Sequence, residues 1–253
     1  MDLLQVVFLA ILQGFTEWLP VSSSGHLVIA QQLMDLNVSV GFDVALHAGT
    51  LVAVLFFFRR EIAALFGTTP SSGPGYSRMH YLLLLAAGSI PIALAGIFFL
   101  PFFESLFSST RAVGIGLLLT ALLLQLSRCS LVSMRLSYPV ALVIGIFQAV
   151  ALAPGISRSG STISAALMQG VPREEAFCFS FLLSIPAVIG AMIMKIDGTM
   201  PAETGPYMLI GASLAAISGY IAIRILKRIL LGNHFHLFSY YCAALGFVTL
   251  LVL

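Results

Sequence analysis

Six stretches of this sequence are long and apolar enough to be read as membrane spans: residues 42–58, 81–100, 111–127, 176–195, 207–228 and 236–253. A helix crossing the hydrocarbon core needs about 20 mostly apolar residues. Composition agrees with that reading. Hydrophobic residues make up 59% of the 253 and charged residues only 9%, where soluble domains carry about 25%. Too few charges remain to cover a water-facing surface, so the solvent is lipid and the fold class is an all-α polytopic membrane protein. The net charge of +2 gives no basic face, and no nucleic-acid partner is expected. Cys129, Cys178 and Cys242 are odd in number and far apart, and read as apolar filler. Met1-Asp2 lacks the positive start of a signal peptide, so the chain is read as beginning at Met1.

Two further apolar stretches are broken. Residues 3–12 run into Gln13, Glu17, Pro20 and then Ser22-Ser23-Ser24-Gly25-His26 before an apolar stretch resumes. Residues 139–153 meet Pro154-Gly155 and Ser157-Arg158-Ser159-Gly160-Ser161-Thr162, after which a helical stretch continues to about 169. A broken helix at membrane depth is tolerated only where protein buries it or it lines a cavity. Both segments are therefore read as re-entrant helix-loop-helix hairpins.

The hairpins are also similar to each other. A shift of 135 residues brings Gln13 onto Gln148, Ser22 onto Ser157, Ser24 onto Ser159, Gly25 onto Gly160 and Phe42 onto Phe177. The order hairpin, span, span, span occurs twice, with repeat 1 at about 1–135 and repeat 2 at about 136–253 of a single membrane domain. Three spans is an odd number, so the second copy enters from the opposite face. Such inverted-topology repeats place their site at the midplane, where broken helices meet.

Lysine and arginine set the expected orientation. With the N-terminus on one side, the other side holds Arg59, Arg60, Arg78, Arg128, Arg135, Arg173, Arg224, Lys227 and Arg228, against Arg111 and Lys195. The richer side is expected to be cytoplasmic. Both termini and the opening of the site then face outward, and the linker Thr68–Ser77 is cytoplasmic.

Ionisable residues inside a membrane are costly and are functional candidates. The pattern places Glu17, His26 and Arg158 there, all in the hairpins. Gln13 and Glu17 are four apart and share a helical face. Together they offer oxygens to a hard divalent cation, or they form a buried pair, or Glu17 pairs with Arg158. Of Ser22, Ser23 and Ser24, one is expected to be only a helix N-cap. A hydroxyl beside an imidazole is also the raw material of nucleophilic catalysis. In the second hairpin, glycines allow close backbone approach and a helix start offers free N–H groups to an anion. Arg158 matches phosphate oxygens with two parallel hydrogen bonds. Ser157, Ser159, Ser161 and Thr162 complete an oxyanion cradle. A polar turn pinned by an Arg–Glu pair is the plainer alternative.

These two motifs resemble the undecaprenyl-diphosphate phosphatase family of the bacitracin-resistance type. Its first motif, Glu or Gln, three residues, then Glu, is matched by Gln13-Gly14-Phe15-Thr16-Glu17 and the following Trp18-Leu19-Pro20-Val21-Ser22-Ser23-Ser24-Gly25-His26. Its second, Pro-Gly-x-Ser-Arg-Ser-x-x-Thr, is met in full by residues 154–162. Trp18 and Ser24 stand where the family usually has Phe and Thr. The resemblance covers the whole chain. It implies a metal-dependent hydrolase that acts on a C55-type lipid diphosphate, with Glu17, Ser23, His26 and Arg158 in the site. Arg158 and neighbouring N–H groups would hold the diphosphate, helped by Ser157, Ser159, Ser161, Thr162, Ser22 and Ser24. Glu17 and Gln13 would place Mg²⁺ or Ca²⁺. Ser23 would attack phosphorus with His26 as general base or acid; His26 itself, or a metal-bound water, is the alternative nucleophile. The implied partners are a polyprenyl diphosphate and the cell-membrane bilayer, with a homodimer allowed.

Two rivals are weighed on the same residues. Lipid phosphatases of the phosphatidic-acid type also use Ser-Gly-His, but need a second histidine soon after Ser-Arg; after Ser157-Arg158 the next is His234. A lipid-phosphate flippase or transporter shares the inverted-repeat fold. A nucleophile beside an anion cradle favours chemistry over transport.

Overall fold

The computed structural model describes residues 1–36, 38–67, 76–129, 134–195 and 205–252. Most of the linker expected at Thr68–Ser77 lies outside the described residues. Among the described residues every regular element is helical. The first half runs α1 (Leu3–Trp18), α2 (Ser23–Leu33), α3 (Val40–Phe57), a short α4 (Arg59–Leu65), α5 (Arg78–Leu106) and α6 (Thr110–Leu126). The second runs α7 (Tyr138–Val150), α8 (Arg158–Met168), α9 (Arg173–Lys195), α10 (Gly205–Leu231), one 3-10 turn (Phe235–Leu237) and α11 (Phe238–Val252). The sequence pattern gives no sign of α4.

Five segments are long and apolar enough to cross a membrane: α3, α5, α9, α10 and Phe235–Val252. The sixth expected span, α6, has 17 residues, about 25 Å at the helical rise. Its apolar side is nevertheless turned outward at Ile115, Leu119 and Leu122. The longest helix, α5, exposes Ile90, Leu94, Ile97, Phe98 and Phe102. Such faces suit lipid tails and would be unsustainable in water. Pro91 and Pro101 sit inside α5, as membrane helices tolerate.

The two broken segments form helix-break-helix units. In the first, α1 stops at Trp18, the chain passes Pro20, and α2 restarts behind Ser22. In the second, α7 stops at Val150 and α8 restarts behind Ser157. Shifting the bounds of α2 by 135 residues gives those of α8. Packing between the halves is reciprocal. Helix α1 lies on α10 of the second half, α7 lies on α5 of the first, and α6 and α11 pack on each other. Small residues permit these contacts. A Cβ on Gly14 would fall 2.7 Å from the carbonyl oxygen of Ala215, and one on Gly145 would fall 2.2 Å from that of Gly88.

Each break is satisfied by the other half. Thr120 of α6 donates its hydroxyl to the Gly155 carbonyl at 2.9 Å and accepts the Ser157 N–H at 2.9 Å. In return, Ser159 of α8 donates to the Leu19 carbonyl at 3.3 Å and Cys242 of α11 to that of Pro20 at 3.4 Å. Without such partners, exposed peptide groups in an apolar medium would cost several kcal/mol each, by order of magnitude. The breaks also touch: a Cβ on Gly25 would lie 3.2 Å from Gly155 Cα, and one on Gly160 3.3 Å from Pro20 Cβ.

Gly155 holds φ +85° with the Val113 carbonyl oxygen 2.2 Å from its missing Cβ. Alanine there combines a left-handed backbone with a backbone clash. Gly155→Ala should lower stability by about 2 kcal/mol or more, read as a drop in Tm of the protein in detergent. Gly96→Ala, whose Cβ would meet nothing nearer than Met194 Sδ at 3.9 Å, should leave Tm unchanged. Equal melting of Gly155→Ala and the parent would contradict the close contact of the break with α6.

Candidate active site

The two breaks bring Gln13, Glu17, Ser23 and Arg158 into one hydrogen-bonded cluster. Gln13 and Glu17 project from the same face of α1, and both are buried. One Glu17 oxygen, Oε1, accepts from Nη2 of Arg158 in an ion pair. The other, Oε2, accepts from the Ser23 hydroxyl at 2.6 Å and from Gln13 Nε2 at 3.2 Å. A buried carboxylate needs this company, because an unpaired charge away from water is prohibitively costly. Arg158 also lies over the Trp18 ring at 5.1 Å. Trp18 in turn stacks on Phe181, which packs against Phe58 and Phe177. An aromatic wall thus fixes the guanidinium from behind, a contact worth about 0.5–2 kcal/mol.

Two helix starts converge on this cluster. Ser22 is the N-cap of α2 and accepts from Gly25 N–H; Ser157 is the N-cap of α8 and accepts from Gly160 N–H. Ser22 adopts φ +68°, an uncommon backbone state for a residue with a Cβ. It is the cap that the serine run was expected to contain. One residue later, Ser23 and Arg158 open the two helices at positions 135 residues apart. Each helix start presents N–H groups and the positive end of its dipole, a fitting environment for phosphate oxygens.

His26 is one turn along α2 and is buried. Its Nδ1 lies 2.7 Å from the Ser22 carbonyl, and its Nε2 lies 2.7 Å from the Tyr241 hydroxyl of α11. Ser23 therefore bonds to Glu17 while His26 bonds to Tyr241. On the far side of the cluster, His47 Nδ1 is 3.2 Å from Gln13 Nε2 and 3.9 Å from Glu17 Oε2. Its Nε2 is 3.8 Å from Asp43, whose other oxygen takes Lys195 Nζ at 2.6 Å. A chain of polar groups thus runs from Glu17 to an exposed lysine.

The remaining expected residues divide by exposure. Ser24 is half-buried, with its hydroxyl 3.2 Å from that of Ser22. Ser157, Ser159 and Thr162 are buried. Ser157 and Ser159 share a contact at 3.3 Å, and Thr162 bonds the Arg158 carbonyl at 2.8 Å and Ser180 at 2.5 Å. Ser161 is fully buried and its hydroxyl has no partner. Ser23, Ser24 and Arg158 are thus the members of the set that keep partial exposure.

The sequence matches the family described as bacitracin resistance protein BacA over residues 6–248. The chain belongs to that family. Among its relatives, the undecaprenyl-diphosphatase of Korarchaeum cryptofilum is 40% identical, and the alignment covers all of both chains. The undecaprenyl-diphosphatase of Halothermothrix orenii is 38% identical over all of this chain and 98% of its own. That of Carboxydothermus hydrogenoformans is 40% identical with the same coverage. Within this BacA-family chain the resemblance read from two motifs extends over the full length.

His47, Asp43 and Tyr241 lie outside both motifs, and the sequence pattern alone does not bring them to the site. Asp43 and His47 are four apart on α3, so their pairing had a local signal. Tyr241 is 215 residues from His26 and had none.

The planar fork of Arg158 serves Glu17 with one nitrogen and leaves further donors free, which an ammonium cannot reproduce. Arg158→Lys should cut kcat/KM at least about tenfold, about 1.4 kcal/mol of transition-state binding. The measurement is phosphate release from a polyprenyl diphosphate in detergent. Near-normal turnover would assign the arginine to structure alone.

Proposed function

We propose that this protein removes the terminal phosphate from undecaprenyl diphosphate and returns the monophosphate for carrier-lipid recycling in cell-envelope synthesis, with bacitracin resistance as a consequence. Full-length identity to relatives named undecaprenyl-diphosphatase supports the activity. The observation that carries the chemistry is a serine hydroxyl bonded to a buried carboxylate at 2.6 Å, with an arginine on that carboxylate's other oxygen.

In this reading, Arg158 and the N–H groups at the starts of α2 and α8 hold the diphosphate, with Ser24 beside them. The Ser23 oxygen attacks the terminal phosphorus in line, and its proton passes to Glu17. The bond from phosphorus to the bridging oxygen breaks, and the lipid monophosphate leaves. Water then attacks the phosphoserine and gives a proton to His26. Ser23 departs with the proton held by Glu17, and phosphate is released. The prenyl tail lies in lipid against the apolar helix faces.

A divalent cation fits the donors on α1. Gln13 Oε1 is buried with no partner, beside the single carboxylate of Glu17. One carboxylate and one amide oxygen suit Mg²⁺ or Ca²⁺, with substrate phosphate and water completing the shell. Such a cation would neutralise charge on the diphosphate oxygens.

The topology we favour has α3, α5, α6, α9, α10 and α11 as six spans. The α1–α2 and α7–α8 units are re-entrant hairpins in two inverted repeats. Repeated element order and reciprocal packing support it. Helices α2 and α8 have 11 residues each, about 16 Å, roughly half the hydrocarbon core. The lysine and arginine asymmetry supports outward-facing termini and an outward-facing site.

Ser23→Ala should abolish turnover, because no other group can form the phosphoserine. His26→Ala should keep residual activity, since lost acid–base help typically costs about 10²–10⁴-fold. Acid and alkaline quenching of labelled enzyme should trap an acid-stable phosphoenzyme, and EDTA should suppress its formation. An acid-labile adduct would make His26 the nucleophile. No adduct, with both variants only partly impaired, would point to attack by water. Binding of the lipid without phosphate release would point to a transporter.

A further inference from the structure

We infer that Tyr241 is a positioning residue for His26, holding the imidazole Nε2 lone pair in place from the other half of the chain. The inference rests on the phosphatase reading of the site and adds a residue that neither motif contains. Its ground is the bonding of His26 at both ring nitrogens. The Ser22 carbonyl can only accept, so the Nδ1 that faces it at 2.7 Å carries the hydrogen. Nε2 of the neutral ring then holds the lone pair. The group 2.7 Å from it is the Tyr241 hydroxyl, which donates.

The two rings also lie face to face, with centroids 5.7 Å apart and planes 7° from parallel. One side chain thus fixes both the plane of the imidazole and the direction of its lone pair. The hydroxyl serves either protonation state. Tyr241 donates to neutral His26; when the ring acts as base, the hydroxyl passes its own proton to Nε2, takes the water's proton in its place, and then accepts from Nε2–H. His26 can cycle between base and acid without turning.

The placement of Tyr241 sets it apart from a core tyrosine. Its neighbour Cys242 is fully buried and bonded to the Pro20 carbonyl of the first break. That contact pins α11 at this level, while Tyr241 itself remains 48% exposed. Its hydroxyl is therefore aimed at His26 without the packing that would otherwise explain it. Two ionisable groups beside this level are bonded elsewhere. Glu17 on α1 bonds Ser23, Gln13 and Arg158, and Cys242 bonds Pro20. Neither makes a hydrogen bond to the imidazole.

The test is a double-mutant cycle in full-length protein in detergent, read as kcat and KM for phosphate release. Tyr241→Phe keeps the stacked ring and removes only the hydroxyl. It should lower kcat about tenfold, the scale of one lost buried hydrogen bond, with KM and Tm unchanged. In a His26→Gln background the same substitution should change kcat less than about twofold, because coupled groups are non-additive. Tyr241→Leu, which also removes the ring, should be worse than Tyr241→Phe in the parent and equal to it in the His26→Gln background. Additive losses in the two backgrounds, or a wild-type kcat for Tyr241→Phe, would overturn the positioning role. If His26→Gln alone leaves kcat unchanged, the assignment of His26 fails first and that of Tyr241 falls with it.

Discussion

Glu17 and Arg158 lie 141 residues apart, and each sits at a helix break. Their ion pair is the contact on which the site depends. A lone carboxylate or guanidinium in that setting would be expelled, neutralised or hydrated. Together they let two helix interruptions exist side by side. Removing either partner of such a buried pair costs about 3–5 kcal/mol, which makes the pair an obligatory link between the halves. The hydroxyls of Thr120 and Ser159 and the thiol of Cys242 add a second link, since each satisfies a backbone group of the opposite break.

From that link the chemical character of the site follows. The halves must cross so that each break finds its partners, hence the packing of α1 on α10 and α7 on α5. Crossing sets the starts of α2 and α8 against one carboxylate. Two positive helix ends and an arginine then surround a serine whose proton already has an acceptor. The electrostatics favour a multiply charged anion, and the adjoining apolar faces favour one with a long hydrocarbon tail. The chain's relatives are named for this chemistry, and in the function proposed above the cluster of Glu17, Ser23 and Arg158 is its physical basis.

Much of this could be read in sequence because the motifs are local. The four-residue spacing of Gln13 and Glu17 placed them on one face, and Pro20 and Pro154-Gly155 marked the breaks. The serine run announced a cap, which proved to be Ser22, the residue with a left-handed backbone. The Glu17–Arg158 pair was among the open alternatives, since two isolated intramembrane charges of opposite sign invite it. What escaped depends on tertiary geometry. Tyr241 belongs to an apolar helix with nothing in its surroundings to mark it. His47 and Asp43 reach the cluster only through the packing of α3 on α1. The hydroxyls of Ser157, Ser159 and Thr162, expected in a phosphate cradle, also bond protein atoms at the break and on α9, which no local pattern announces. Composition cannot separate a hydroxyl that caps from one that binds.

The most direct test is an experimental structure with a non-hydrolysable polyprenyl diphosphate analogue bound in a lipid environment. The account predicts that the terminal phosphorus lies within reach of Ser23 Oγ, in line with the bridging oxygen, with Arg158 donating to its oxygens and the tail leaving between helices. A headgroup held elsewhere, with the Glu17–Arg158–Ser23 cluster closed and untouched, would contradict it.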